Sequence, residues 1–302
     1  MVHLSALLMI VAMACVFLFS RSGCSSFATS IEFETSSRSR GEIPLEIHKI
    51  YNDWHQCIND KLLPVMADPK KLWSFFGESI ETCRQETALD KLNLTEHSNN
   101  EEIKYHIHNN TDITPSVVVT LGVGRNILAE QQLKKLLPQG SLFFGADPIY
   151  EGNDQLYSSI GTFFPIAVSN ETKMSQAYVL KKGGYVYQTV VHIDVITFLA
   201  KLTETPFIDQ FLMDNEGPEY DIIPMMGVND EFDKNGLVAC QINVEFHAYN
   251  NFHERFVFVL KKLLDDRRYA ILKASHETHY RVFMLNFEHA KCVEKYIMHY
   301  FV

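Results

Sequence analysis

No run of basic residues occurs anywhere in this 302-residue chain, and its formal charge is −10. A nucleic-acid partner calls for a basic surface, so the balance argues against that class of function. Long apolar runs are also scarce. The one at residues 4–19 is short for a membrane-spanning helix. No acidic residue precedes it, Arg21 follows it, and Ser22, Gly23 and Cys24 offer small residues for cleavage. The pattern fits a cleaved signal peptide, with an uncleaved Golgi-type anchor as the alternative and the only membrane attachment expected. Either way the rest of the chain enters the secretory pathway, in the Golgi lumen or outside the cell.

Cysteine is sparse, with six in all. Cys15 and Cys24 lie in or beside the apolar segment. The other four fall into two regional pairs, Cys57 with Cys83 and Cys240 with Cys292. An oxidising lumen allows both pairs as disulfides; small buried residues are the other reading. The N-x-S/T acceptors Asn93, Asn109 and Asn170 fit a glycosylated luminal protein.

What is present supports a real core: 46% of residues are hydrophobic, in a length suited to one large domain with an appendage. After the signal segment (1–22), residues 23–44 read as a flexible stem rich in Ser, Thr, Arg and Gly. Residues 45–112 read as a helical segment and linker. Ile47, Ile50, Tyr51, Trp54 and Ile58 recur at helical spacing, as do Leu72, Trp73, Phe76, Ile80 and Cys83. The polar stretch 95–112 reads as a loop. Its Tyr105-His106-Ile107-His108 reads as an exposed polar strand rather than a metal site.

Residues 113–302 change texture. Apolar strands at 117–121, 142–146, 163–168, 208–213 and 237–246 alternate with helical stretches, and a closing antiparallel pair follows at 269–274 and 280–286. Residues 169–173 read as a polar turn and 185–191 as a short strand. The expected fold is therefore α/β, a Rossmann-like, mostly parallel sheet with helices on both faces and a small N-terminal helical segment. The run Phe211-Leu212-Met213 ends abruptly at Asp214, Glu216 and Glu219, with Gly217 and Pro218 among them. Ligands bind outside the carboxyl ends of such strands, so these acids are expected to face a crevice. Glu219 is also suited to a helix start, where the dipole favours acids.

Strand, Gly122-Val123-Gly124, then helix is a cradle in which backbone can approach a ligand. Asp147, at the end of the next strand, can accept the hydroxyls of a ribose. The dinucleotide fingerprint wants a third glycine where Ile127 stands. A ligand with ribose but no pyrophosphate, S-adenosylmethionine, fits better. Its cationic sulfonium and amine suit a wall of carboxylates such as Asp214 and Glu216. Methyl transfer to oxygen needs alignment and a proton acceptor. The candidate bases are Asp214, Glu216 and His247; Glu245 and His247 share one strand face at the same sheet edge.

These residues resemble a known family. Asp214-Asn215-Glu216-Gly217-Pro218-Glu219 resembles the D-x-E-G-x-E signature of FkbM-type methyltransferases. Asp147-Pro148, Ile193-Asp194 and Glu245-Phe246-His247 resemble its acid-proline, L-D and E-x-H segments. The wider texture, T-L-G-V-G-R-N, F-F-G-A-D-P-I-Y and C-Q-I-N-V-E-F-H, is similar to the divergent nematode branch. The resemblance runs from about Pro115 to the C-terminus. It implies a class I, S-adenosylmethionine-dependent O-methyltransferase, with a hydroxyl of a small molecule or glycan as acceptor. Gly122, Gly124, Glu130, Asp147, Pro148, Ala167 and Asp214 are the expected cofactor set, and Asp214, Glu216 and His247 the catalytic set. No metal is assigned. The chain departs from the family at Thr120, where an acid is usual, and at Asn126, where a glycine is usual; Glu130 is the candidate stand-in for the acid. These departures keep open a methyltransferase-fold binding protein without turnover. Asp214-Asn215-Glu216 also loosely resembles the metal triplet of glycosyltransferases, a third reading.

Overall fold

The structure is a computed structural model and describes residues 42–99, 102–249 and 251–302. The apolar N-terminal segment, most of the stem, Cys15 and Cys24 lie outside the described residues.

Helix α1 (Leu45–Leu62) buries Ile47, Ile50, Tyr51, Trp54 and Ile58 along one stripe, as their spacing requires. Helix α2 (Pro69–Gln85) starts where the Asp68 carboxylate accepts from the Lys71 N–H at 3.1 Å, with Pro69 in the first turn. A disulfide joins Cys57 on α1 to Cys83 on α2. The pair is not a free-standing unit. Trp73 packs edge-on against Phe252, Phe256 and Tyr280, and its carbonyl accepts the Tyr280 hydroxyl at 2.8 Å.

The stretch expected to be a loop is a hairpin, β1 (Leu94–Ser98) with β2 (Ile103–Ile107). Nor is its polar strand exposed: Lys104 and His106 are both buried. The reason lies far away in sequence. Gln241 and Asn243 use their carboxamides as if they were a neighbouring strand. The Ile107 N–H donates to Gln241 Oε1 at 2.7 Å, and Gln241 Nε2 donates back to the Ile107 carbonyl at 3.2 Å. Asn243 does the same for Tyr105, at 2.7 and 2.8 Å. Each buried amide thereby satisfies a buried peptide group.

The main sheet has seven strands in the order β11-β12-β10-β9-β3-β4-β5. Strands β3 (Val117–Leu121), β4 (Leu142–Ala146), β5 (Thr162–Phe164), β9 (Phe207–Met213) and β10 (Val238–Phe246) are parallel. The hairpin β11 (Tyr269–His276) and β12 (Tyr280–Asn286) closes one edge, antiparallel to β10. Alternate residues of the central strands enter opposite cores. Val119, Leu121, Phe211 and Met213 join the larger cluster, whereas Val118 and Leu212 join a smaller one with Leu133 and Tyr157. Burial on both faces explains the unbroken apolar runs. Helix α3 (Leu128–Leu136) follows β3, and helix α4 (Asn153–Tyr157) follows β4. The second disulfide, Cys240–Cys292, ties β10 to the C-terminal helix Ala290–Tyr296.

A second sheet of three strands, β6-β8-β7, was only partly legible. The polar turn at 169–173 leads into a full strand, β7 (Lys173–Lys181), paired antiparallel with β8 (Gly184–Asp194); β6 is Ala167–Ser169. Its mixed polar and apolar residues give no clean period. Among the described residues, no helix is long and apolar enough to cross a membrane.

Candidate functional site

Strand order reverses at β3, which has β4 on one side and β9 on the other. Outside their carboxyl ends a cavity of about 220 Å³ opens. Gly122, Gly124, Asp147, Pro148, Ala167 and Asp214 all line it. Six of the seven residues expected to hold a cofactor are therefore brought together.

The loop after β3 is shaped by close approach. Gly122 has φ +81°, and a Cβ there would lie 1.8 Å from the Asp214 carbonyl oxygen. Only glycine allows the ends of β3 and β9 to come so near. Gly124 also has positive φ, +58°, but its missing Cβ would point into open space. Asp147 holds this loop. Its Oδ2 accepts the Val123 and Gly124 N–H groups at 3.0 and 3.1 Å, and its Oδ1 accepts the Ile149 N–H at 2.8 Å. Burial pushes its pKa up despite these donors. The Asn153 side chain is a further donor to the same carboxylate.

Glu130 is the exception. It lies on α3, fully buried and outside the cavity lining. Thr120 Oγ1 donates to it at 3.3 Å, and the Lys104 ammonium lies 3.5 Å away. Thr120 in turn accepts the Tyr157 hydroxyl at 3.1 Å. A carboxylate therefore does stand beside position 120, supplied by a helix and neutralised from the hairpin.

Of the catalytic candidates, Asp214 and Glu216 line the far wall of the cavity, and His247 is buried behind them, outside the lining. After β9 the backbone turns through Glu216 (φ +59°) and Gly217 (φ +122°) into helix Glu219–Met225. A left-handed glutamate is uncommon, and it folds this carboxylate back toward His247. His247 Nε2 lies 3.3 Å from Asp214 and 3.4 Å from Glu216, while Nδ1 lies 3.0 Å from Glu219. Burial opposes charge on the imidazole, but its bonds to Asp214 and Glu219 outweigh that and lift its pKa to about 11. For Asp214 burial acts upward, yet His247 and Lys104 hold its pKa below the ordinary value. Glu216 goes the other way: burial raises its pKa, His247 and two tyrosines offset only part, and Asp214 adds repulsion. Glu245, next to Arg281 at 3.1 Å, is pushed up to about 7 by burial and by Asp214.

Sequence reasoning missed several parts. Asn215 lines the cavity and donates to the Val168 carbonyl at 3.0 Å, while its Oδ1 is enclosed without a hydrogen-bond partner among the described residues. An orphaned acceptor beside a cavity is a place for a ligand N–H or O–H. Tyr178, Tyr185, Tyr187 and Tyr249 also line the cavity. The Tyr249 hydroxyl donates to Glu216, as does that of Tyr185. The two-residue spacing of Tyr185 and Tyr187 was the available signal. As for cations, ligand atoms of Asp214, Glu216 and His247 lie within 4.8 Å of one another, as do those of Glu245, His247 and His279. Either set has donors suited to a divalent ion.

The model of the methyltransferase FkbM domain matches residues 65–276, well over half of the chain. Its start falls just after α1, so the match takes in α2 and the β1–β2 hairpin as well as most of the sheet. Among curated proteins there is no match.

Proposed function

The chain belongs to the methyltransferase FkbM family, and from that premise we propose that it is an S-adenosylmethionine-dependent O-methyltransferase acting on a glycan hydroxyl in the secretory pathway. The observation that carries this reading is the meeting of two strand ends in one cavity, Asp147 on one side and Asp214 with Glu216 on the other. The strand order, with its antiparallel edge hairpin, supports a class I architecture.

The residues fit the donor. Open space above Gly124 leaves room for a ligand against the loop, Asp147 lines the cavity beside it as the partner for a ribose hydroxyl, and Asn215 Oδ1 awaits a donor group. Asp214 lines the cationic end. When bound, S-adenosylmethionine supplies a methyl group on a sulfonium leaving group. The protein's own work is to align the acceptor and take its proton. His247 is held as an imidazolium by its acidic neighbours and so serves to position them. Glu216, whose pKa is raised and which faces the cavity, is the proton acceptor. The two disulfides support an oxidising compartment. Of the glycosylation acceptors, Asn93 and Asn170 are exposed, whereas the Asn109 amide donates to the Lys295 carbonyl at 2.9 Å.

Calorimetry of the purified full chain with S-adenosylmethionine tests the donor. Binding is expected in the native protein and is expected to be lost in Asp147→Ala. Labelled methyl transfer to a glycan pool is expected to fall by roughly 10²–10⁴-fold in Glu216→Gln. A second reading, donor binding without turnover, is favoured by Thr120, which stands in place of the usual acid and is bonded to Glu130 and Tyr157. Donor binding with no transfer to any glycan would select it.

A further inference from the structure

The register of hairpin β7–β8 places Tyr178 opposite Tyr187, with Tyr185 two residues along on the same face. The Tyr178 ring is stacked on Tyr185 at 5.0 Å, lies 5.0 Å from Tyr187 and meets Tyr249 edge-on at 6.0 Å. Tyr249 is stacked on His247 at 5.4 Å, so the aromatic wall runs into the catalytic cluster. Three of these rings are exposed, Tyr187 the most at 74%. Fold stability gives no reason to gather exposed tyrosines at the lip of a cavity. A tyrosine platform presents rigid apolar faces and polar rims at low entropic cost, which suits a ligand with both characters. Charge narrows the choice. Asp147, Asp214 and Glu216 line the cavity, and among the described residues no lysine or arginine does. An anionic acceptor would meet these carboxylates there, and the imidazolium of His247 is already bonded to its own acidic neighbours.

We propose that Tyr178, Tyr185, Tyr187 and Tyr249 form the acceptor platform, and that the acceptor is a neutral pyranoside rather than a uronate, a sulfated sugar or a nucleotide sugar. This rests on the methyl-transfer reading of the same cavity. The C–H face of a saturated sugar ring lies on the tyrosine faces. One of its hydroxyls reaches Glu216, which the Tyr185 and Tyr249 hydroxyls hold in place.

Saturation-transfer NMR on the full chain tests it, with a panel of neutral methyl hexopyranosides and with methyl glucuronide as the anionic control. At least one neutral glycoside is expected to receive saturation at its ring protons. The signal is expected to fall roughly fivefold or more in Tyr178→Ala and in Tyr185→Ala and to persist in Tyr178→Phe, which keeps the ring. Thermal unfolding of each variant checks that the substitutions, at half-buried Tyr178 and exposed Tyr185, leave the fold intact. Silence from every neutral glycoside, equal signals in the alanine variants, or a stronger response from the glucuronide would overturn the proposal. Calorimetry of the same samples with S-adenosylhomocysteine separates the two claims. Sugar binding without it removes the methyl donor and keeps the platform; nucleoside binding without sugar removes the platform alone.

Discussion

His247 Nδ1 sits 3.0 Å from Glu219 Oε1, the same oxygen that accepts the His247 backbone N–H. The other Glu219 oxygen accepts the Gly217 N–H at 2.6 Å. A fully buried carboxylate that receives only N–H donors makes Nδ1 a donor too. Glu219, read in the sequence as one of the crevice acids and also as a helix-start acid, is buried and orients the imidazole toward Asp214 and Glu216.

The pH dependence follows from that pairing. His247 has a pKa of about 11 in the fold against an ordinary 6.5. Its stabilisation is whole below pH 6.5 and drains away as pH rises toward 11. Glu245, at about 7 against 4.5, acts with the same sign across that lower interval. Asp214 has the opposite sign, because its depressed pKa removes stability as pH falls below the ordinary carboxylate range. Denaturant midpoints measured from pH 5 to 10 are expected to decline, and to decline less steeply in His247→Gln and Glu245→Gln. Unchanged slopes in both variants would contradict the assignment.

Lys104 and Glu130 make a second test. Both are buried, 26 residues apart, with Glu102 completing the group at 3.1 Å from the ammonium. Removing one partner strands a buried charge. Lys104→Met is expected to cost about 3–5 kcal/mol in chemical denaturation. Lys104→Met with Glu130→Gln is expected to recover part of that loss, which two independent sites would not do.

Gly122 and Gly124 separate space from dihedral strain. Both have positive φ, but only at Gly122 would a Cβ strike backbone, at the Asp214 carbonyl. Gly122→Ala is expected to part the ends of β3 and β9 and abolish donor binding in calorimetry. Gly124→Ala is expected to cost only about 1 kcal/mol, with donor binding weakened but measurable.

The parallel sheet was legible because its strands are buried on both faces, leaving runs such as Val117-Val118-Val119 and Phe211-Leu212-Met213 that no other element explains. The acids at their ends were legible because polar residues after an apolar run mark a sheet edge. The β1–β2 hairpin was not, since His106 is buried through Gln210, 104 residues on, and Lys104 through Glu130. Local pattern cannot announce a distant partner. Glu130 illustrates the same limit: its link to Thr120 was within reach of the sequence, but its exclusion from the cavity depends on how α3 packs. The tyrosine wall escaped because β7 has no clean alternation, so the strand opposite Tyr185 and Tyr187 was invisible.

Gln241 and Asn243 lend their side chains to β2 as surrogate peptide groups. A chain cut to begin at residue 113 would bare these two carboxamides and the Gln210 amide on the inner surface of the sheet. Trp73 would leave with α2, taking away the packing under β11 and β12. What the sequence suggested as an appendage is thus the lid of the core: shortened from that end, the remaining polypeptide would expose an apolar surface pricked with dangling amides, a recipe for clumping before it could meet any ligand.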